Sequence, residues 1–443
     1  MKSAIPLSPD DALFRKITRR IVPFLFVCYV INFIDRVNIG FAKLQFLQDL
    51  KLNDAVYGMA AGIFFVSYMA FEVPSNLMLA RIGVRKTLMR IMFLWGLFTV
   101  MLMFTKSATM LYVLRFLLGA AEAGFFPGII LYLTYWFPDA RRGRVTSLFV
   151  IAIPLAGVIG GPLSGGIMSH FDTAMGLRGW QWLFLIEGVP AMMLGIMALF
   201  FLDDHPKDAK WLTPAERTRV MAALAADSTN GAKEGAHGSM RDALRNPRLY
   251  LLAFIYFTIF MGLNAVSFWI PSIIRQAGVQ NIGTIGLISG GISVCTAIGT
   301  LLAGYSSDRH GERRWHVAGS GFAVAAAFLL LPAAAGSIPL TVCCLAVASV
   351  GLYANLATFW TIPPTYLRGD SAAGGIAMIT ALGAIGGVLS PNIVGMLKEA
   401  TGSLYSGLAV IASIIIIGMI TLLCALPSPQ REAARAARMS AMK

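Results

Sequence analysis

Apolar runs and short polar breaks alternate along the whole chain. Twelve of the runs reach about 20 residues, the length a helix needs to cross a hydrocarbon layer of about 30 Å. They fall at roughly 21–42, 57–80, 87–105, 109–134, 145–169, 180–202, 248–274, 283–305, 315–334, 338–362, 372–397 and 402–426. An even number of spans returns the chain to the side on which it began. The one long polar stretch, 203–246, divides the set into six and six, so the expected organisation is a bundle over 1–202, a linker over 203–246 and a second bundle over 247–443. Within the linker, "TPAE" places Thr213 as a helix cap, Pro214 at the first helical position and Glu216 three residues after the cap. That is the reciprocal capping box, and it predicts a short amphipathic surface helix to about Ala226. The following "DSTNGAKEGAHGS" has the composition of a flexible linker.

Composition narrows the setting. With 57% hydrophobic and 13% charged residues and a mean hydropathy of +0.71, the chain has more apolar surface than a soluble core can bury, and most of it must face lipid. The net charge of +14 does not call for a nucleic-acid partner, because the basic residues are distributed by side. Of the 36 Lys and Arg, six (Lys43, Lys51, Lys106, Arg178, Arg275, Lys398) fall on one side and Arg36 and Arg115 lie inside spans; the rest fall in the N-terminus, five alternate loops and the C-terminal tail. That asymmetry predicts both termini in the cytoplasm. Cys28, Cys295, Cys343, Cys344 and Cys424 all fall in apolar runs without metal-type spacing and are expected to be small packing residues. The basic N-terminus runs into a span that carries Asp-Arg, so it is expected to be a retained first helix and not a signal peptide.

The halves repeat. "ARIGVRK" (80–86) follows span 2 and "DRHGERR" (308–314) follows span 8, an offset of 228 residues. Gly157, Pro162 and Gly166 of span 5 match Gly386, Pro391 and Gly395 of span 11 at an offset of 229. Parallel six-span repeats with a mid-membrane site between them are a transporter architecture. "GYSSDRHGERR" (304–314) resembles the loop signature of the major facilitator superfamily. The resemblance implies an all-α membrane protein with twelve helices in two six-helix bundles. Gly311 permits the tight turn, and Asp308, at a helix C-terminus where the dipole disfavours an anion, needs a cationic or helix-N-terminal partner. Asp308, Arg309, Gly311 and Arg313 are therefore the expected conformational latch, with Arg81, Gly83 and Arg85 as its first-half copy, where Ala80 replaces the Asp.

Longer stretches narrow the match: "FIDRVNIGFA" (33–42), "FFVSYMAFEVPSNLMLARIG" (64–83), "LRFLLGAAEAGFFPGIILYLTYWFP" (114–138), "GWQWLFLIEGVPA" (179–191) and "WLTPAER" (211–217). Together they resemble the anion:cation symporter family, in particular its tartrate, phthalate and hydroxyphenylacetate permease-like members. This implies inward transport of an organic carboxylate with protons, and assigns Asp35, Arg36, Arg115 and Glu122 to the family's site.

The residues themselves lead to a compatible reading. The ionisable groups clearly within spans are Asp35, Arg36, Glu72, Arg115, Glu122 and Glu187, all in the first half. Such charges are costly in lipid and are expected to face partners or a water-filled cavity. Arg115 and Glu122, seven apart, lie on one helix face about 10 Å from each other. With Asp35 and Arg36 on a span running the other way, two cations and two carboxylates can surround one cavity. Arginine stays charged and grips carboxylates bidentately, so Arg36 and Arg115 are the anion-clamp candidates. Asp35 and Glu122 are the candidate proton carriers, Glu122 the larger. Tyr68 is a further substrate contact, and Glu72 and Glu187 are expected to pack. In the second half Asn264, Trp269, Tyr353, Asn355, Trp360 and Asn392 suit hydroxyl or ring recognition, although each alone is also typical helix-to-helix glue or an interface aromatic. "GVIGGPLSGG" (157–166) resembles a motif of drug:proton antiporters, which keeps efflux as the alternative direction. No nucleotide loop, metal triad or nucleophile elbow points to an enzyme or sensor. The expected partners are a small organic anion, protons and the bilayer of the cell (inner) membrane, with no cofactor and a monomeric chain.

Overall fold

The computed structural model describes residues 9–234, 247–363 and 370–425, and among them there is helix and no strand. The helices are α1 (Pro9–Asp49), α2 (Asp54–Ile82), α3 (Val84–Leu102), α4 (Ala108–Glu122), α5 (Phe125–Trp136), α6 (Asp139–Val150), α7 (Ala152–His170), α8 (Gly179–Phe201), α9 (Pro214–Glu234), α10 (Pro247–Gln276), α11 (Ile282–His310), α12 (Arg314–Ala334), α13 (Ile338–Phe359), α14 (Asp370–Thr401) and α15 (Leu404–Ala425). Among the described residues, 11 stretches are long and apolar enough to cross a membrane, with α4 and α5 counted as one. The predicted third span, α3, is 19 residues long and falls short of that standard only because Arg85, Lys86 and Arg90 crowd its first two turns. Twelve spans result.

By contacts the chain forms two compact units, Met1–Leu50 with Ile63–Ala236, and Lys51–Gly62 with His237–Lys443. In the first, α3 packs on α8 and α4, and α1 on α7 and α8. In the second, α10 packs on α14, and α12 on α13 and α15.

Three predicted spans come out differently in detail. The first is not confined to 21–42: α1 runs 41 residues, about 60 Å at 1.5 Å per residue, and so projects beyond the hydrocarbon. Its extension holds because Leu13, Phe14 and Ile17 recur at helical spacing and are buried. The fourth span breaks after Glu122, where Gly124 adopts the left-handed conformation (φ 87°) and begins α5. Pro127 explains the position: its ring excludes the carbonyl four residues back, at Ala123, from a continuing helix. The fifth span divides at Ile151, with α6 before it and α7 after.

The capping box forms as predicted. The Thr213 amide donates to Glu216 Oε2 at 2.8 Å, and the Glu216 amide to Thr213 Oγ1 at 3.2 Å. The helix it starts runs to Glu234 and not to Ala226. It thus continues through "DSTNGAKE", the first part of the expected flexible stretch; residues 235–246, and the tail from 426, lie outside the described residues. Glu216 also accepts from Lys16 Nζ at 2.9 and 2.8 Å, which with Arg219–Asp10 (2.5 Å) ties α9 to the projecting start of α1. The Lys16 hydrogen bond, helped by the Thr213 amide, holds the Glu216 carboxyl below its ordinary value. A depressed acid stabilises above its unfolded-state pKa and loses that contribution as pH falls through the folded one. Hydrogen exchange of α9, taken relative to the intrinsic amide rate at each pH, is therefore expected to be slow at neutral pH and to quicken on acidification toward the carboxylate range. Glu216→Gln should quicken it already at neutral pH, by well under tenfold, since exposed pairs contribute about 1 kcal/mol or less.

Candidate anion site in the first unit

The first-span charges do not point the same way. Consecutive helical residues are about 100° apart, and Asp35 and Arg36 diverge accordingly. Asp35 is buried and accepts from Asn38 Nδ2 at 2.9 Å, Trp95 Nε1 at 2.5 Å and Thr99 Oγ1 at 3.0 Å. Two of these donors lie on α3, so the carboxylate is turned inward to α3 and away from Arg36. Neighbours in sequence, Asp35 and Arg36 thus engage different helices, α3 and α4.

Arg36 instead pairs with Glu122 of α4, joining the first and fourth spans. Glu122 is 1% exposed, whereas the Arg36 side chain retains 24% of its surface. Among the described residues the Arg36 Nε finds no hydrogen-bond acceptor. Its guanidinium lies 5.5 Å from the ring centres of Phe33 and Tyr68 and 5.7 Å from that of Phe64. Arg115, 1% exposed, lies 4.7 Å from the same Phe64 ring. One aromatic ring therefore touches both arginines, and each contact is a cation–π geometry that holds a guanidinium without neutralising it.

Glu122 is the last residue of α4, at the break before α5. Close approach of α2 to α4 builds the wall. A β-carbon on Gly119 would meet the Phe64 carbonyl oxygen at 2.2 Å and Ser67 Oγ at 2.3 Å. Gly119→Ala is accordingly expected to push α2 off α4, at about 1–3 kcal/mol, and to lower the melting temperature together with substrate affinity. Unchanged melting and binding would mean the two helices can separate freely there.

Glu187, expected to pack, is buried on α8 and accepts from Ser164 Oγ of α7 at 2.8 Å. Asp35 with its three donors and Glu187 with Ser164 make a buried polar layer that joins α1, α3, α7 and α8. Glu72 is half-buried, and its carbonyl accepts from Asn76 Nδ2 at 3.0 Å.

The second-unit candidates are not gathered in the same way. Asn264 and Asn392 donate to carbonyls of their own helices, at Phe260 and Val388, both at 2.7 Å. Asn355 is 1% exposed and donates to the Val317 carbonyl of α12 at 3.1 Å. Trp269 is fully buried, edge-on to Tyr57 at 5.3 Å. Trp360 lies 4.9 Å from Tyr256.

At the basic loops, Gly311 adopts φ 61° and closes α11, as the turn requires. Asp308 pairs with Arg313 at 2.6 Å, across the turn itself, and Arg309 lies in the last turn of α11. In the first-half copy the missing acid is replaced from elsewhere. Asp204, just past α8, accepts from the Arg85 amide at 2.9 Å and covers Gly83, so that it caps α3. The Arg85 side chain reaches back to the Leu199 carbonyl of α8, and Arg81 lies in the last turn of α2. No local signal in "ARIGVRK" could have indicated Asp204, which is more than a hundred residues away in sequence.

Membrane-length helices throughout, with opposite charges meeting at a break in one of them, point to a polytopic membrane transporter. Residues 25–391 match the Major Facilitator Superfamily, and the chain belongs to that family. It is 44% identical over 94% of its length to "Putative metabolite transport protein NicT" of Pseudomonas putida, covering 95% of that protein. It is also 44% identical over 97% of its length to a "Putative tartrate transporter" of Agrobacterium vitis, covering 94% of it. The crystal structure of a bacterial homolog of the human lysosomal transporter Spinster, inward-facing and unoccupied, aligns with a TM-score of 0.70 at 18% identity, over 93% of this chain and 99% of that one. These relatives are transporters and not enzymes.

Proposed function

We propose that the protein carries a small organic carboxylate, such as tartrate, an aromatic acid or a sugar acid, into the cell together with protons, by alternating access. The observation that supports this most is the Arg36–Glu122 pair beside Arg115, with both guanidinium groups against Phe64. An incoming carboxylate competes with Glu122 for Arg36, whose Nε is still without an acceptor. A buried carboxylate deprived of its cation is strongly unfavourable, and taking a proton removes that cost. Substrate binding and protonation of Glu122 are thereby linked. Arg115 supplies the second arm of the clamp and Tyr68 a ring edge, while Asp35 and Glu187 form the supporting polar layer. The relatives named as tartrate transporters agree with a carboxylate substrate. The basic asymmetry of the loops agrees with cytoplasmic termini in the cell (inner) membrane.

Uptake of a panel of labelled organic acids into proteoliposomes is the test. At least one hydroxylated or aromatic carboxylate is expected to accumulate under an inward proton gradient and to stop when the gradient is collapsed. Accumulation only with the gradient reversed would establish efflux instead. Binding of cations or neutral solutes with no carboxylate bound would overturn the reading.

A further inference from the structure

We propose that the basic end of the first unit holds the phosphate headgroup of an anionic phospholipid, in a cleft between the projecting start of α1 and the first part of the linker. The cavity is about 630 Å³ and is lined by Arg15, Lys16, Arg19, Arg20, Phe201 and Trp211. Four cations face one space, and only Lys16 has a carboxylate partner, Glu216. Among the described residues Arg15, Arg19 and Arg20 form no ion pair, and the buried Arg20 Nε has no hydrogen-bond acceptor.

The cleft is constructed and not merely a basic surface. Arg20 is held between two rings, 4.9 Å from the centre of Phe201 and 5.1 Å from that of Trp211. Trp211 is itself fixed, donating from Nε1 to Asp203 Oδ2 at 2.8 Å and stacking on the buried Trp136 at 5.6 Å. Orienting a guanidinium between aromatics presents its N–H edge to an acceptor, and a phosphate matches that edge bidentately. A bias that only oriented the chain in the membrane would not require such walls.

What lies next to the cleft selects a lipid over a soluble anion. Phe201 is the last residue of α8, and Met193, Met197 and Phe200 on the same helix are exposed, Phe200 to 81%. They recur every three to four residues and form one apolar stripe leading to the cleft. Beside it on α1, Val27 is exposed two turns from Arg20. A headgroup at the arginines therefore leaves its acyl chains along surfaces already facing hydrocarbon.

The test uses the full chain, purified in mild detergent, with bound lipid counted by native mass spectrometry after addition of phosphatidylglycerol or phosphatidylcholine of matched chains. The unchanged protein should retain phosphatidylglycerol in preference. The double variant Arg15→Gln/Arg19→Gln, both exposed and tolerable to folding, should lose roughly fivefold in affinity per arginine removed. Arg20→Lys, which keeps the charge but not the fork, should weaken binding further when added. The control Lys51→Gln/Lys106→Gln removes as much charge elsewhere and should leave the preference intact. Equal retention of the two lipids, or equal losses in control and double variant, would overturn the site. Displacement of phosphatidylglycerol by millimolar inorganic phosphate, or by glycerol phosphate without chains, would show a soluble phosphate site and overturn the lipid assignment.

Discussion

Glu122→Gln is expected to abolish proton-driven accumulation of substrate, by two orders of magnitude or more, while counterflow of substrate across the membrane survives. Glutamine keeps the shape of the protonated acid but releases no proton, and it cannot neutralise Arg36. The Arg36–Glu122 pair is the contact that substrate must break, so the variant should bind substrate at least as well as the parent. Its cost in stability should stay below the 3–5 kcal/mol of a fully buried broken pair, because the Arg36 side chain retains 24% exposure. Proton-driven uptake, counterflow and thermal melting measured on the same preparation decide it. Accumulation against a gradient by Glu122→Gln, with only a pH difference as driving force, would make Glu122 structural. In that case the buried layer of Asp35 and Glu187 would be a further place for a coupled proton.

Arg115→Lys and Arg36→Lys should each weaken substrate binding by about tenfold or more, on the scale of a lost charge-assisted hydrogen bond of about 1.5–3 kcal/mol. Both keep their charge, so the loss isolates the planar fork and its contact with Phe64. The two should differ in character. A lysine at 36 can still pair with Glu122, but it cannot hold Glu122 while presenting a second donor edge to substrate, so coupling should suffer along with affinity. A lysine at 115, 4.7 Å from Phe64 in the parent, loses contact with the ring and should lower affinity while leaving the proton-to-substrate ratio unchanged. Calorimetric affinities within twofold of the parent for both variants would remove the clamp from Arg36 and Arg115. A change in coupling ratio in Arg115→Lys alone would reverse their roles.

Much of this was legible along the chain, for reasons that are local. Twelve spans follow from the length of apolar runs, because the backbone must be satisfied internally in lipid and continuous apolar runs of about 20 residues do that as helices. The capping box at Thr213 and the turn at Gly311 follow from four or five consecutive residues. The candidacy of Arg36, Arg115 and Glu122 follows from the cost of charge in hydrocarbon, which makes any such residue conspicuous. Even the break in the fourth span had a local signal in "EAGFFPG", where Gly124 and Pro127 stand three apart.

Partners were a different matter. Whether Glu122 meets Arg36 or Arg115, and whether Asp35 joins them, depends on the rotation of α1 about its axis, where one residue changes direction by about 100°. The packing of α1 on α7 and α8 sets that angle and sends Asp35 to Trp95 and Thr99 instead. The same holds for Asp204 capping α3, for Phe64 touching both arginines, and for Trp211 meeting Arg20. Each joins helices whose contact is determined by how many side chains pack at once, a sum that no single stretch of sequence contains. The sequence by itself determined which residues must be protected from lipid; only the tertiary structure decided which of them protect one another.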